Sequence, residues 1–125
     1  MHPETIRMSA EAKQQLSRLK RRTGIGQWNV LCRWALCRSL SEPSPIAPQR
    51  VPADSNVEMS WRTFAGPWGD VLWALVEERC RADGAGTTAD DVAAHLRLHI
   101  HRGIGYLAGD PSLSSVEALA GLAAP

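Results

Sequence analysis

Residues 16–40 read LSRLKRRTGIGQWNVLCRWALCRSL. The stretch opens with four cations in five positions, Arg18, Lys20, Arg21 and Arg22. It crosses a Thr-Gly break and enters a segment apolar on nearly every side. Plotted at 100° per residue, Trp28, Val30, Leu31, Cys32, Trp34, Ala35, Leu36, Cys37 and Leu40 cover almost the whole circumference of a helix over 27–40. Only Asn29, Arg33, Arg38 and Ser39 interrupt them. A helix apolar all round must be buried all round, and a 125-residue chain has little to wrap it in. Self-association is the economical solution, so a homo-oligomer is expected.

The segment before it has the opposite character. Ser9 is a good N-cap, Glu11 suits the first turn, and Gly24 suits a C-terminal stop. In the intervening helix, over 10–22, only Ala12, Leu16 and Leu19 share an apolar face. This helix lies on a surface. Residues 5–8, TIRM, alternate polar and apolar and fit a short strand with Ile6 and Met8 inward.

Residues 41–67 hold five of the eight prolines and read as a long, partly extended linker, mobile near 43–56. A third helix is expected over 68–83, with Val71, Leu72, Leu75, Val76 and Cys80 inward and Gly84 after it. A fourth starts at Thr87 or Thr88, carries Asp90 and Asp91 in its first turn and reaches Leu107. Its inward stripe is Val92, Leu96, His99, Ile100, Gly103 and Leu107. Asp110-Pro111 ends it, and a short terminal helix follows over 115–122. The expected architecture is therefore a single all-α domain over 1–125, of about four helices, with one short N-terminal strand.

Charge is divided unevenly along the chain. Residues 1–50 hold nine Lys/Arg against three Asp/Glu, whereas residues 51–125 hold five against ten. A basic face suits a polyanion, and the acidic half offers Glu77, Glu78, Asp90 and Asp91 as a partner-docking surface. The cluster formed by Lys13, Arg18, Lys20, Arg21 and Arg22 is the strongest signal, since no acid lies between Lys13 and Arg38 to pair it. Such a surface neutralises several phosphates, with affinity falling about tenfold or more over a physiological range of salt.

The other chemistry-bearing residues favour plainer readings. Three cysteines, Cys32, Cys37 and Cys80, form neither a disulfide framework nor a CxxC knuckle, and read as small buried hydrophobes. With no signal peptide and no long apolar run, the chain is expected to be cytoplasmic, with no membrane association. His95 and His99 stand four apart and could share a metal, but no third ligand is near in sequence, so no metal and no cofactor are expected. Of the five tryptophans, Trp28, Trp34 and Trp73 read as core, with Trp61 and Trp68 free to stack on bases. No catalytic triad order, phosphate-binding glycine loop or carboxylate pair is present, which argues against an enzyme.

Strand, helix and helix with a basic first helix resembles the start of the ribbon-helix-helix repressors. There, strands pair across a dimer and outward side chains, here Thr5 and Arg7, enter the major groove. A transcriptional regulator of that kind is one alternative, and a sulfur carrier using Cys32, Cys37 or Cys80 is another.

A closer resemblance covers about residues 5–108. RMSAEAKQQLSRLKRRTGIGQWNVLCRWALCRSL, LWALVEERCRADG and HLRLHIHRGIGYL resemble, in order and spacing, the DNA sulfur modification protein DndE family. The resemblance implies a small helical protein acting in bacterial DNA phosphorothioation, in which sulfur replaces a non-bridging phosphate oxygen. It implies partners among the sulfur-transferring and ATPase-like components, with a cysteine desulfurase supplying sulfur. It also implies a tetramer that binds nicked duplex DNA through surface lysines. Carried onto this chain, that role falls on Lys13 and Lys20, its sole lysines, shared with Arg18, Arg21 and Arg22.

Overall fold

The computed structural model describes residues 2–122; Met1 and residues 123–125, the ends of the expected single domain, lie outside them. Strand β1 (Thr5–Arg7) leads into α1 (Ala10–Thr23) and α2 (Trp28–Leu40). After an extended segment come β2 (Glu58–Ser60), α3 (Trp61–Ala65) and a 3-10 turn, followed by α4 (Gly69–Ala82), α5 (Ala89–Ala108) and α6 (Val116–Gly121). The helices expected from the sequence are all present, within a residue or two of their expected ends.

Local chemistry sets those ends. Ser9 Oγ accepts from Ala12 N at 3.0 Å and starts α1, while Gly24 takes the left-handed conformation at φ 76° and stops it. Thr88 and Asp91 form a reciprocal capping box at the start of α5. The 20-residue α5 is the spine, and its apolar stripe Val92, Leu96, Ile100, Ile104 and Leu107 is buried. Helix α2 lies across it so closely that a Cβ added at Gly103 would sit 1.7 Å from Ala35 O. Glycine is therefore required by the approach of two backbones.

The N-terminal strand has its partner within the same chain. β1 pairs antiparallel with β2, Ile6 opposite Met59 and Arg7 opposite Glu58. Ile6, Met8 and Met59 point into the core, as alternation demands. On the other edge of β1, Arg7 O accepts both Nε and Nη2 of Arg97, at 3.2 and 2.9 Å. The edge a ribbon-helix-helix dimer would pair across is thus occupied by a guanidinium. Residues 58–67 of the expected linker lie in ordered elements, and Trp61 and Phe64 are core. The run of 58–65 was too short to show a period.

Extended segment 41–57 is held by arginines of the acidic half. Arg79 donates to Leu40 O, Glu42 O and Ser44 O; Arg102 donates to Ser39 O and Ser44 O; Arg97 reaches Val51 O and Pro52 O. A segment with prolines and no ladder of its own satisfies its carbonyls this way.

Two burial expectations fail. Helix α2 buries Leu31, Cys32, Ala35, Leu36 and Ser39, but Val30 and Trp34 are half-covered and Cys37 is exposed. Helix α4 buries Leu72, Trp73, Val76 and Cys80, whereas Val71 is 57% exposed and Leu75 49%. Together with Trp68, 58% exposed, these residues leave an apolar groove between α2 and α4. Helix α4 has more apolar surface than the single chain has core to receive.

Candidate nucleic-acid interface

Helix α1 presents its buried face, Ala12, Leu16, Leu19 and Thr23, to α5 and α6, and its opposite face to solvent. At the solvent pole Arg21 follows Ser17 and Gln14, with Lys13 and Arg18 to either side. Lys13 Nζ donates to Asn56 Oδ1 at 2.6 Å, so the segment before β2 forms the other wall of a shallow groove. Arg18 and Arg21 are exposed and make no hydrogen bond to the described residues. Asp54 also lines this groove, where its carboxylate accepts from Ala10 N at 2.7 Å. That bond caps the positive end of α1.

The remaining cations are structurally engaged. Lys20 Nζ lies 4.2 Å from the centre of the Trp28 ring, a cation–π contact bridging the α1–α2 break. Arg22 Nη1 donates to Ala108 O at 2.8 Å and closes an open carbonyl at the end of α5. Arg7 pairs with Glu58 at 2.9 Å on the two-stranded sheet. Among the described residues, none of Lys13, Arg18, Lys20, Arg21 and Arg22 has a carboxylate within ion-pair distance. Fold and sequence agree on one basic helix face, but the fold divides it into open and engaged members.

The acidic half divides similarly. Glu78 pairs with Arg81, and Asp91 belongs to the α5 capping box, while Glu77 and Asp90 are exposed. Of the tryptophans, Trp61 and Trp73 are buried, Trp28 and Trp34 half-buried, and Trp68 open. Trp61, expected beside a linker, stands edge-on to Trp73 at 5.8 Å.

Desolvation disfavours all three thiolates. It pushes Cys32 up to about 12, with Arg33 opposing weakly. Desolvation by its neighbours also raises Cys37, exposed though it is, and burial raises Cys80, where the carboxylates of Asp91 and Asp83 add to it. A nucleophilic thiol needs the reverse.

The fold adds a cluster invisible to the linear reading. The C-cap residue of α4, Asp83, arrives beside His95 and His99, one turn apart on α5. His95 Nε2 lies 3.0 Å from Asp83 Oδ2 and 3.1 Å from His99 Nε2, and the rings meet edge to face. His99 Nδ1 lies 2.7 Å from Ser39 Oγ, which accepts from Arg102 Nε at 2.8 Å, while Arg79 Nε donates to both Asp83 oxygens at 3.0 Å. Burial, then His95, Arg102 and Arg79, push His99 down to about 4 against the opposing pull of Asp83. Burial would raise Asp83, but hydrogen bonds from His95 and Arg79 outweigh it and hold its carboxyl below its ordinary value. These are the residues that could hold a metal ion, and sequence spacing alone supplied only two of the three.

A long spine helix crossed closely by an apolar helix and fronted by a basic one defines a small helical protein with an exposed basic surface. A family model described as DNA sulphur modification protein DndE matches residues 5–115, and the chain belongs to that family. No curated protein matches it in sequence. Its fold is similar to the crystal structure of DndE from Escherichia coli B7A, described as involved in DNA phosphorothioation modification. That likeness has a TM-score of 0.73 and 21% identity, covering 86% of this chain and 98% of that one. It is also similar to a glycine-to-lysine mutant of DndE involved in DNA phosphorothioation, with a TM-score of 0.67, 16% identity and 85% and 99% coverage. Among the described residues no helix is long and apolar enough to cross a membrane.

Proposed function

We propose that this chain is a non-catalytic, cytoplasmic DNA-binding component of the phosphorothioation machinery. Arg18, Arg21 and Lys13 take the phosphate backbone, and Lys20 and Arg22 extend the surface at its flanks. The observation that carries this reading is the solvent pole of α1, where Arg18 and Arg21 stand open beside Lys13 with no carboxylate of the described residues within ion-pair distance. Guanidinium groups so placed bind phosphate in a fork and release counterions. Membership in a DNA sulphur modification family supports DNA as the polyanion. The raised thiols and the absence of a nucleophile–base pair in the groove support a binding role over sulfur transfer by this chain.

Oligomerisation is the second part of the reading. The groove of Val30, Trp34, Cys37, Trp68, Val71 and Leu72 is the surface by which copies associate, with a tetramer expected. Glu77 and Asp90 remain open for the other components of the complex and for a cysteine desulfurase.

Binding to intact duplex, nicked duplex and single strand at two salt concentrations tests the proposal. Wild type is compared with a Lys13→Ala, Arg18→Ala, Arg21→Ala variant. Salt-sensitive binding by wild type, lost in the variant at unchanged oligomeric size, supports it and shows whether a nick matters. Absence of binding by both proteins overturns it and leaves the stripe as a protein-docking face.

A further inference from the structure

Asp83, His95 and His99 bring three donor atoms to one point inside the protein, within 4.8 Å of one another. The separations are 3.0 Å from Asp83 Oδ2 to His95 Nε2, 3.8 Å to His99 Nε2, and 3.1 Å between the two nitrogens. Protein ligands bound to zinc at about 2.0–2.1 Å in a tetrahedron stand about 3.3–3.4 Å apart. The observed triangle brackets that edge. We propose that Asp83, His95 and His99 form a site for a divalent first-row transition ion, with zinc the expected occupant, that fastens the C-terminus of α4 to the middle of α5.

The surrounding groups fit that role. Without an ion, one proton on His95 Nε2 donates to Asp83 Oδ2, with the His99 Nε2 lone pair 3.1 Å away; an ion between the three atoms takes that proton's place. Ser39 Oγ receives Arg102 Nε and stands 2.7 Å from His99 Nδ1. When His99 Nδ1–H donates to Ser39, its Nε2 lone pair faces Asp83 and His95, which is the ligating tautomer. Arg79 Nε fixes the carboxylate by donating to both of its oxygens. Binding at His95 uses the Nε2 lone pair, so the ring N–H moves to Nδ1. Two imidazoles and one carboxylate suit zinc and its neighbours, and leave a fourth position for water.

The test uses the full chain stripped with a chelator, then titrated with Zn2+ and separately with Co2+. One ion per chain is expected, with Tm raised and a cobalt d–d spectrum free of thiolate charge transfer. Asp83→Asn, His95→Gln and His99→Gln should each weaken Zn2+ binding by at least about 100-fold, and Ser39→Ala by about 10- to 100-fold. No saturable uptake by wild type, uptake surviving in the His95→Gln, His99→Gln double variant, or a thiolate band in the cobalt spectrum would each overturn the site. Where a variant loses helical circular dichroism, the wild-type cobalt titration decides by itself.

Discussion

At Gly103 a methyl group has no room, because Ala35 O would lie 1.7 Å from it. In an exposed helix interior, Gly→Ala stabilises by about 1 kcal/mol. Here the sign reverses: Gly103→Ala is expected to destabilise by about 3 kcal/mol or more, since α2 must be pushed off α5. Urea denaturation measures it, and a stabilised variant would contradict the close crossing. His99 gives a pH prediction. Its folded value of about 4 lies below the ordinary 6.5, so the unfolded chain takes up a proton that the folded chain refuses between those values. Stability of the chelator-treated protein therefore falls as pH drops through that window, by about 2 to 3 kcal/mol, and is flat above it with respect to this group. Asp83, shifted down, adds its own loss only at more acid pH. His99→Gln should remove the slope between pH 6.5 and 4, read from Tm against pH.

Among the elements, α1 is where the proposed binding and the stability of the fold can be separated. Arg18→Ala and Arg21→Ala should each lower the slope of log affinity against log salt by about 0.9 and leave Tm unchanged. Arg22→Ala and Lys20→Ala should instead cost stability, the latter about 0.5 to 1 kcal/mol from its contact with Trp28. Equal effects of all four on DNA affinity, with none on Tm, would contradict the division. The basic face was legible in the sequence, because cap, stop and three apolar positions are local signals. So were α2, α4, α5 and α6. What stayed hidden depends on contacts between distant residues: the strand β2, whose three residues mean nothing without β1; the burial of Trp61; and the delivery of Asp83 to two histidines. Helix α4 shows the limit of periodicity. Val71, Leu75, Leu72 and Val76 share one helical pattern, yet the fold covers only the last two.

For the molecule as a whole, the apolar groove and the basic helix lie on separate elements, so the proposed association and the charge can be changed independently. Trp68→Glu with Val71→Glu alters two exposed side chains and should keep helicity while reducing the assembly to smaller species in light scattering. Its DNA affinity should then fall by about 100-fold or more through lost multivalency, with the salt slope per chain preserved. An unchanged assembly would place the interface elsewhere.

The bonds that complete the N-terminal half reach far along the chain. Ser9 N meets His101 across 92 residues, Arg7 O meets Arg97 across 90, and Arg22 meets Ala108 across 86. A nascent chain leaving the ribosome therefore exposes its basic helix long before the floor beneath it exists. Its fold is sealed only when residues 97–108 have emerged. Synthesis proceeds at about 5–20 residues per second, so the wait lasts several seconds. A chain halted before α5 should show neither the protected amides of β1 nor the protease resistance of the finished protein.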